Sequence, residues 1–253
     1  MLHYTDTGST KPVLLFVHGV LMNETVWHKQ VAAFEDTHRI IAVDMAGFGK
    51  SPGTGSELFT DHAQMIDDLL AHLDLTNVTY VGWSMGGAVG QVMAEMLPSR
   101  LRRLVLCGTT PQLVADDNFS DALPPEAVGE LGGLFESDYS KGCAGFGDVC
   151  APGDAETAAF LTNVMMGTDP TVALPALASG GAQNQLDIMN KIMIETYVIH
   201  GTEDAVCLPA AAEYLALHIA GCNAPVRWIE TGGHGAHLTH AGVFNNHLRG
   251  CLV

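Results

Sequence analysis

VTYVGWSMGGAVGQVMAEML occupies residues 78–97 of the chain. Its first residues are β-branched and aromatic, as in a strand, and its last residues follow the spacing of a helix that ends before Pro98. Between the two, Gly82 and Gly86 lie two residues on either side of Ser84. The pattern predicts a sharp turn whose strained backbone leaves no room for neighbouring Cβ atoms. We therefore expect the Ser84 hydroxyl to project from the apex of the turn.

The serine needs partners elsewhere in the chain, because Gly-x-Ser-x-Gly is a weak signal in a sequence with 28 glycines. A serine hydroxyl becomes nucleophilic when a neutral imidazole takes its proton, and a carboxylate must fix the tautomer of that imidazole. Asp204 and His234 each follow a predicted strand and give the order Ser, Asp, His along the chain. We expect these three side chains to be the catalytic residues.

Neighbouring residues offer alternatives for the acid and the base. Glu203 adjoins Asp204, but Asp204 holds the last position of a His-Gly-x-x-Asp turn and is favoured. His237 and His240 follow His234 at intervals of three. That spacing also occurs in metal sites, but no acidic ligand accompanies the three histidines, so we expect no metal.

A second loop is expected to complete the site. It follows the apolar run VLLFV at 13–17 and contains His18 and Val20. The backbone N–H groups of Val20 and Met85 are the candidates for holding a developing oxyanion. We interpret His18 as a brace for this loop, and Asp44, in the next glycine-rich loop, as a carboxylate that caps a turn.

The chain as a whole alternates short apolar strands with helical patterns, which predicts a mostly parallel sheet covered by helices on both faces. The alternation stops between residues 112 and 190, a segment that contains twelve acidic residues and a single basic one, Lys141. Weak helical patterns occur there near 125–135, 155–166 and 182–191. So long an irregular segment is typical of a lid, although a surface excursion is the alternative. We expect a core of residues 1–111 and 191–253 and a helical cap of residues 112–190.

Composition narrows the possible partners of this 253-residue chain. A net charge of −17 argues against nucleic acid and anionic membranes, and no apolar run is long enough to span a bilayer. The N-terminus has no basic segment followed by an apolar one, so a cytoplasmic location is expected. Six cysteines show no zinc spacing and fit a reducing compartment, with a Cys143–Cys150 bridge as the alternative in an oxidising one. The oligomeric state is left open.

Five motifs together resemble the α/β-hydrolase superfamily. They are HGV at 18–20, DMAGFGKS at 44–51, GWSMGG at 82–87, HGTED at 200–204 and GGH at 232–234, with Phe244 ten residues beyond the last. The resemblance implies an α/β fold with eight strands, no cofactor and an acyl-enzyme on Ser84. Ser84 stands at the apex of the turn, called the elbow below, where related dehalogenases and epoxide hydrolases carry aspartate, and this argues against those chemistries.

Within the superfamily the chain is similar to methyl ester esterases that act on pimeloyl groups bound to acyl carrier protein. Carboxylesterases, enol-lactonases and cofactor-free perhydrolases share nearly as much. An acidic cap counts against docking of an acidic carrier protein, which needs a basic surface. We therefore expect a serine carboxylesterase acting on small to medium acyl esters. The alternatives are a hydrolase of C–C bonds or enol-lactones in ring-cleavage products, and a ligand-binding protein that kept the fold.

The acyl pocket is expected to be apolar. Leu21, Trp83 and Val206 adjoin the predicted catalytic residues in sequence and are the candidate substrate-binding residues. Met22 and the cap residues Met165 and Met166, with the cap phenylalanines, are further candidates that a role in the core explains equally well.

Overall fold

The computed structural model describes residues 1–253 and contains one seven-stranded sheet. The strands are β1 (Tyr4–Asp6), β2 (Val13–Val17), β3 (Arg39–Val43), β4 (Val78–Trp83), β5 (Leu101–Cys107), β6 (Glu195–Gly201) and β7 (Arg227–Ile229). Their order across the sheet is β1-β3-β2-β4-β5-β6-β7, and only the β1–β3 pair is antiparallel. The predicted α/β class is confirmed.

The number of strands differs from the eight that the resemblance implied. One strand of three residues precedes β2, and it pairs directly with β3, Tyr4 lying opposite Val43. The chain between β1 and β2 is short. Gly8, with φ +61°, turns the chain immediately after β1, and β2 begins at Val13, so no second strand fits between them.

Helices cover both faces of the sheet. They are α1 (His28–Phe34), α2 (Phe59–His72), α3 (Met85–Met96), α4 (Pro125–Ser137), α5 (Tyr139–Cys150), α6 (Ala155–Met165), α7 (Pro170–Ala182), α8 (Pro209–His218), α9 (Ala236–Thr239) and α10 (Ala241–Cys251). Short 3₁₀ helices span Glu24–Trp27, Pro98–Arg100 and Leu186–Lys191. None of the helices combines the length and the hydropathy needed to cross a bilayer.

The segment of residues 112–190, called the insert below, holds four α-helices where the sequence predicted three weak helical stretches. Helix α5 was missed because it contains three glycines, and α7 because Pro175 lies inside it. The third predicted stretch, 182–191, is instead the end of α7 followed by a 3₁₀ helix. Helix α4 packs on α5 and α7, and α5 packs on α6.

The insert and the sheet share one hydrophobic core. Phe135, Phe146, Leu161 and Met165 from the insert are buried in the same cluster as the residues of the central strands. All six cysteines are free thiols. Cys143 and Cys150 lie two turns apart on α5, a rise of about 10 Å, which is beyond the reach of a disulfide within one helix.

Candidate active site

Ser84 lies at the junction of β4 and α3 with φ +56° and ψ −122°. Two glycines make this junction possible. A Cβ at Gly86 would collide with the carbonyl oxygens of Val17 and His18, and a Cβ at Gly82 would collide with the carbonyl of Gly86. The turn therefore requires glycine at both positions, as the sequence pattern predicts, and it exposes the Ser84 side chain to a cavity.

Asp204 and His234 form a buried hydrogen-bonded pair. Asp204 Oδ2 lies 2.9 Å from His234 Nδ1, and Oδ1 accepts hydrogen bonds from the Val206 and Cys207 N–H groups at 2.9 Å. Burial alone would raise the pKa of this carboxyl, but His234, His200 and the Val206 N–H together outweigh burial and hold the pKa below its usual range. Asp204 is therefore an ionised carboxylate at neutral pH, aimed at one nitrogen of the imidazole.

The alternative candidates for the acid and the base lie away from the Asp204–His234 contact. Glu203 is exposed and does not contact His234. His237 is buried between Trp27 and Trp83, with ring centroids 4.8 Å and 4.5 Å away, and neither of its ring nitrogens has a partner. Burial lowers the pKa of His237 to about 3, so this ring stays neutral. His240 instead contacts threonine hydroxyls next to the last helix.

Hydrogen bonds from side chains to backbone carbonyls join the serine turn to the His234 loop and to the loop after β5. The Trp83 indole N–H donates to the His234 carbonyl at 2.9 Å, and the Thr109 hydroxyl donates to the Ser84 carbonyl at 2.7 Å. Between them, a Cβ at Gly108 would lie 3.3 Å from both Asp204 Oδ2 and the His234 carbonyl. The ends of β4, β5 and β6 thus converge on one site.

The Ser84 hydroxyl does not contact the Asp204–His234 pair through a hydrogen bond. Ser84 Oγ donates no hydrogen bond to a protein group, so the structure brings Asp204 and His234 into contact but leaves the Ser84–His234 bond unformed. Such bonds are often long in sites without substrate and tighten when substrate binds.

Two backbone N–H groups beside Ser84 are free to bind an oxyanion. Met85 is the first residue of α3, so its N–H has no acceptor within the helix, and the Val20 N–H donates to no protein group. Val20, Ser84 and Met85 all line one cavity. The positive end of the α3 dipole adds to this preference for negative charge.

His18 holds the Val20 loop in place. Its Nε2 accepts a hydrogen bond from the Met45 N–H at 2.9 Å, which leaves Nδ1 to donate to the Gly19 carbonyl at 2.7 Å. Burial lowers the pKa of His18 to about 4, and the neutral ring is the form that these two bonds require. The geometry matches the bracing role expected from the sequence.

Asp44 stabilises the next loop in the manner expected of a capping carboxylate. It accepts hydrogen bonds from the N–H groups of Glu24 at 2.8 Å and Lys50 at 2.9 Å, and its Oδ2 lies 2.9 Å from His3 Nδ1. His3, Glu24 and Asp44 bring possible metal-ligand atoms together, whereas His234, His237 and His240 do not. Since the Asp44 oxygens are already occupied by these donors, the cluster is explained by loop structure.

The cavity beside Ser84 has a volume of about 230 Å³, and 15 of its 25 lining residues are hydrophobic. The sheet side contributes its floor, and helices α4 and α7 of the insert contribute its roof. Insert residues at the cavity include Leu113, Leu123, Val128, Leu131, Phe135, Phe146, Leu174 and Leu177. Glu136 is the single charged residue in the lining. The cavity therefore suits an uncharged, largely apolar molecule.

The predicted pocket residues are corrected in part. Val206 lines the cavity, but Leu21 and Trp83 do not. Leu21 is fully buried in the core, and the Trp83 ring packs against His234 and His237 on the other side of the elbow. The predictions for Leu21 and Trp83 relied on nearness in sequence, but successive side chains around a sharp turn point to different sides.

The methionine candidates also lie elsewhere: Met22 and Met165 are buried in the core and Met166 is exposed on the surface. Two of the cap phenylalanines, Phe135 and Phe146, do line the cavity. Val128 and Leu131, which lie on the same face of α4 as Phe135, were not predicted, although their i, i+3, i+7 spacing was a usable signal. Phe59 and the glutamines Gln112, Gln183 and Gln185 were missed as well, and no local pattern marks them.

Comparison with known proteins places this architecture in a family. A family model described as the alpha/beta hydrolase fold matches residues 12–141. Pimeloyl-[acyl-carrier protein] methyl ester esterase of Neisseria meningitidis serogroup C is 27% identical over 232 residues, covering 90% of this chain and 88% of that protein. Non-heme chloroperoxidase CPO-A1 of Kitasatospora aureofaciens is 32% identical over 246 residues, covering 92% and 88%.

Among solved structures, a bromoperoxidase from Bacillus anthracis superposes with a TM-score of 0.91 at 26% identity, covering 99% of this chain and 95% of that one. Sequence and structure thus agree over nearly the full length of both chains, and the predicted superfamily is confirmed. The chain belongs to the α/β-hydrolase fold family and is a hydrolase.

Proposed function

We propose that the protein is a serine carboxylesterase that hydrolyses small to medium acyl esters through an acyl-enzyme on Ser84. The observation that carries the proposal is the strained serine at the floor of an apolar cavity, beside a buried Asp204–His234 pair with a 2.9 Å hydrogen bond. No cofactor is required for this chemistry, because the nucleophile, the base and the oxyanion donors are all protein groups.

In the first half of the reaction, Ser84 Oγ attacks the ester carbonyl as His234 Nε2 takes the hydroxyl proton. The C=O electrons move to oxygen, and the Val20 and Met85 N–H groups bind the resulting oxyanion. Asp204 keeps the Nδ1–H tautomer of His234 in place and stabilises the imidazolium. When the tetrahedral intermediate collapses, the C–O bond to the alcohol breaks and His234 returns the proton to the leaving alkoxide.

In the second half, a water molecule attacks the acyl-enzyme while His234 removes one of its protons. The oxyanion forms in the same position, and the Ser84 ester bond then breaks with return of the proton to Oγ. The products are a carboxylic acid and an alcohol, and the enzyme is regenerated. The insert acts in this proposal as a cap, since α4 and α7 roof the cavity and restrict the access of water to it.

Charge argues against the carrier-protein alternative. Glu136 is the single charged residue at the cavity, and the insert carries twelve acidic residues against one lysine. An acidic carrier protein that delivers its acyl chain to this cavity would meet repulsion where its docking requires basic residues. A free small-molecule ester carries no such penalty.

The test is the hydrolysis of p-nitrophenyl esters from acetate to laurate by the wild type and by Ser84→Ala. Loss of the serine is expected to lower kcat at least ~10³-fold, whereas Ser137→Ala, a change of an exposed serine on α4, leaves it unchanged. A phosphonate inhibitor should also label Ser84 alone, detected by mass spectrometry. Absence of ester turnover by the wild type contradicts the proposal, and turnover of enol-lactones or C–C ring-cleavage products instead favours the alternative hydrolase.

A further inference from the structure

Two helices of the insert present one face each to the cavity. On α4 the lining residues are Val128, Leu131, Gly132, Phe135 and Glu136, and on α7 they are Leu174, Leu177, Ala178, Gly180 and Gly181. The α4 set follows the spacing i, i+3, i+4, i+7, i+8 of a single helix face. The roof of the cavity is therefore a pair of helix faces whose large apolar side chains are interrupted by glycines.

Gly132 and Gly180, called the glycine notch below, are not explained by packing. A Cβ at either position would have no atom within 4 Å, and neither residue has a positive φ. Two of the three glycines of α5 are different, because a Cβ at Gly142 would collide with Phe135 and one at Gly147 with Thr162. Glycine weakens a helix relative to alanine, so the two notch glycines reduce helix stability although no packing contact requires them.

What the notch provides is space in the cavity. Both residues line it. The other lining residues are mostly apolar, Glu136 is the single charged one and is exposed, and the amide groups of Gln112 and Gln183 already form hydrogen bonds with protein groups. The Glu136 carboxylate beside the opening repels anionic groups, and an apolar wall offers no hydrogen-bond partner to a polar group. The remaining occupant is an uncharged hydrocarbon chain.

We propose that the glycine notch sets the chain length of the substrate, which is an ester with an uncharged alkyl chain of medium length held against α4 and α7. The proposal rests on the esterase function above and extends it to the substrate class. The same hydrocarbon chain can belong to the acyl half or to the alcohol half of the ester, and the experiment separates the two.

The variants are Gly132→Leu and Gly180→Leu, with Gly129→Leu as the matched control. Gly129 lies one turn before Gly132 in sequence on α4, is exposed, does not line the cavity and would also accept a Cβ without contact. All three changes replace glycine by a good helix former, so they strengthen a helix alike. Only the two notch variants place a side chain in the cavity.

Two substrate series are compared by kcat/KM. The acyl series is p-nitrophenyl octanoate against p-nitrophenyl acetate, and the alcohol series is octyl acetate against ethyl acetate in a pH-stat. Because one methylene in an apolar pocket changes specificity by roughly 10–200-fold, each notch variant should lower the long-to-short ratio at least ~10-fold in one series. The series that responds identifies the half of the ester that occupies the notch, and Gly129→Leu should keep both ratios within about two-fold of the wild type.

A binding measurement keeps this inference separate from the esterase function. The neutral ketone 2-decanone is titrated calorimetrically into Ser84→Ala protein carrying Gly132→Leu, Gly180→Leu or Gly129→Leu. Binding weakened at least ~10-fold by the notch changes alone supports the notch, even if no ester is turned over and the proposed function fails. Ratios and ketone affinities in the notch variants equal to those of Gly129→Leu overturn the inference and leave the esterase function intact.

Discussion

Replacing Asp204 by Asn is expected to lower kcat by about 10⁴-fold in a folded protein. The structure shows why the isosteric change is so damaging. Asp204 Oδ1 accepts hydrogen bonds from the Val206 and Cys207 N–H groups, both at 2.9 Å. An asparagine must keep its carbonyl oxygen there, since the opposite orientation would set an NH₂ group against two buried N–H donors at a cost of about 1–3 kcal/mol for each lost bond.

The amide NH₂ group then faces His234 Nδ1, where the carboxylate oxygen lay at 2.9 Å. Donation from the amide forces Nδ1 to act as the acceptor, and the ring proton moves to Nε2. A histidine in this tautomer cannot take the Ser84 proton. A 10⁴-fold loss corresponds to about 5.5 kcal/mol of transition-state stabilisation, at 1.36 kcal/mol for each factor of ten.

The assay is the kcat of p-nitrophenyl butyrate hydrolysis, with circular dichroism and thermal unfolding to verify the fold. Glu203→Gln is the control, because the neighbouring carboxyl is exposed and its loss should change kcat less than two-fold. The double variant Ser84→Ala/Asp204→Asn should be no slower than Ser84→Ala, since residues that act as a unit are not additive. A loss below ten-fold for Asp204→Asn, or additive losses in the double variant, would refute the orienting role of Asp204.

Three further outcomes are expected. Gly86→Ala should lower the free energy of unfolding by about 2–4 kcal/mol in urea titrations, because its Cβ collides with carbonyl oxygens at the end of β2, whereas Gly129→Ala on an exposed helix face should raise it by about 1 kcal/mol. The pKa of His237 is about 6.5 in the unfolded chain but about 3 in the folded protein. The unfolded state therefore binds more protons, and the free energy of unfolding falls as the pH drops below 6.5. Its share between pH 7 and pH 5 is about 2 kcal/mol, and His237→Phe should remove that share; an unchanged pH slope would contradict the buried neutral ring. Trp83→Phe removes the indole hydrogen bond to the His234 carbonyl and should lower kcat about 5-fold at constant KM, and a change in KM alone would count against this positioning role.

The sequence predicted the elbow and the central strands well because local chemistry determines them. Glycine is required wherever a Cβ would meet backbone, as at Gly82 and Gly86, and strands buried on both faces must be continuously apolar. The Asp204–His234 contact was also predictable, since parallel strands carry their following loops to one edge of the sheet. Participation of these residues in catalysis stays a prediction.

The insert and the pocket were less predictable because tertiary contacts determine them. Helices α5 and α7 contain glycine and proline that local propensity reads as irregular structure, yet α5 is held by packing of Phe146 and Cys150 in the core. The Cys150 carbonyl also accepts a hydrogen bond from the Gly235 N–H at 2.7 Å, next to His234. No pattern in either segment alone indicates that contact.

The three tryptophans of the chain all lie against buried histidines. Trp83 is 5.2 Å from His234 by ring centroids, while Trp27 adjoins His237 at 4.8 Å and Trp228 adjoins His200 at 6.0 Å. An imidazolium quenches indole emission and a neutral imidazole does so far less. Burial lowers the pKa of both His237 and His200, so these two rings stay neutral near pH 7 and do not quench Trp27 or Trp228 by gaining a proton. Trp83 adjoins Ser84 in sequence and His234 in space, so its emission offers a signal, free of any added label, for changes at the proposed catalytic residues.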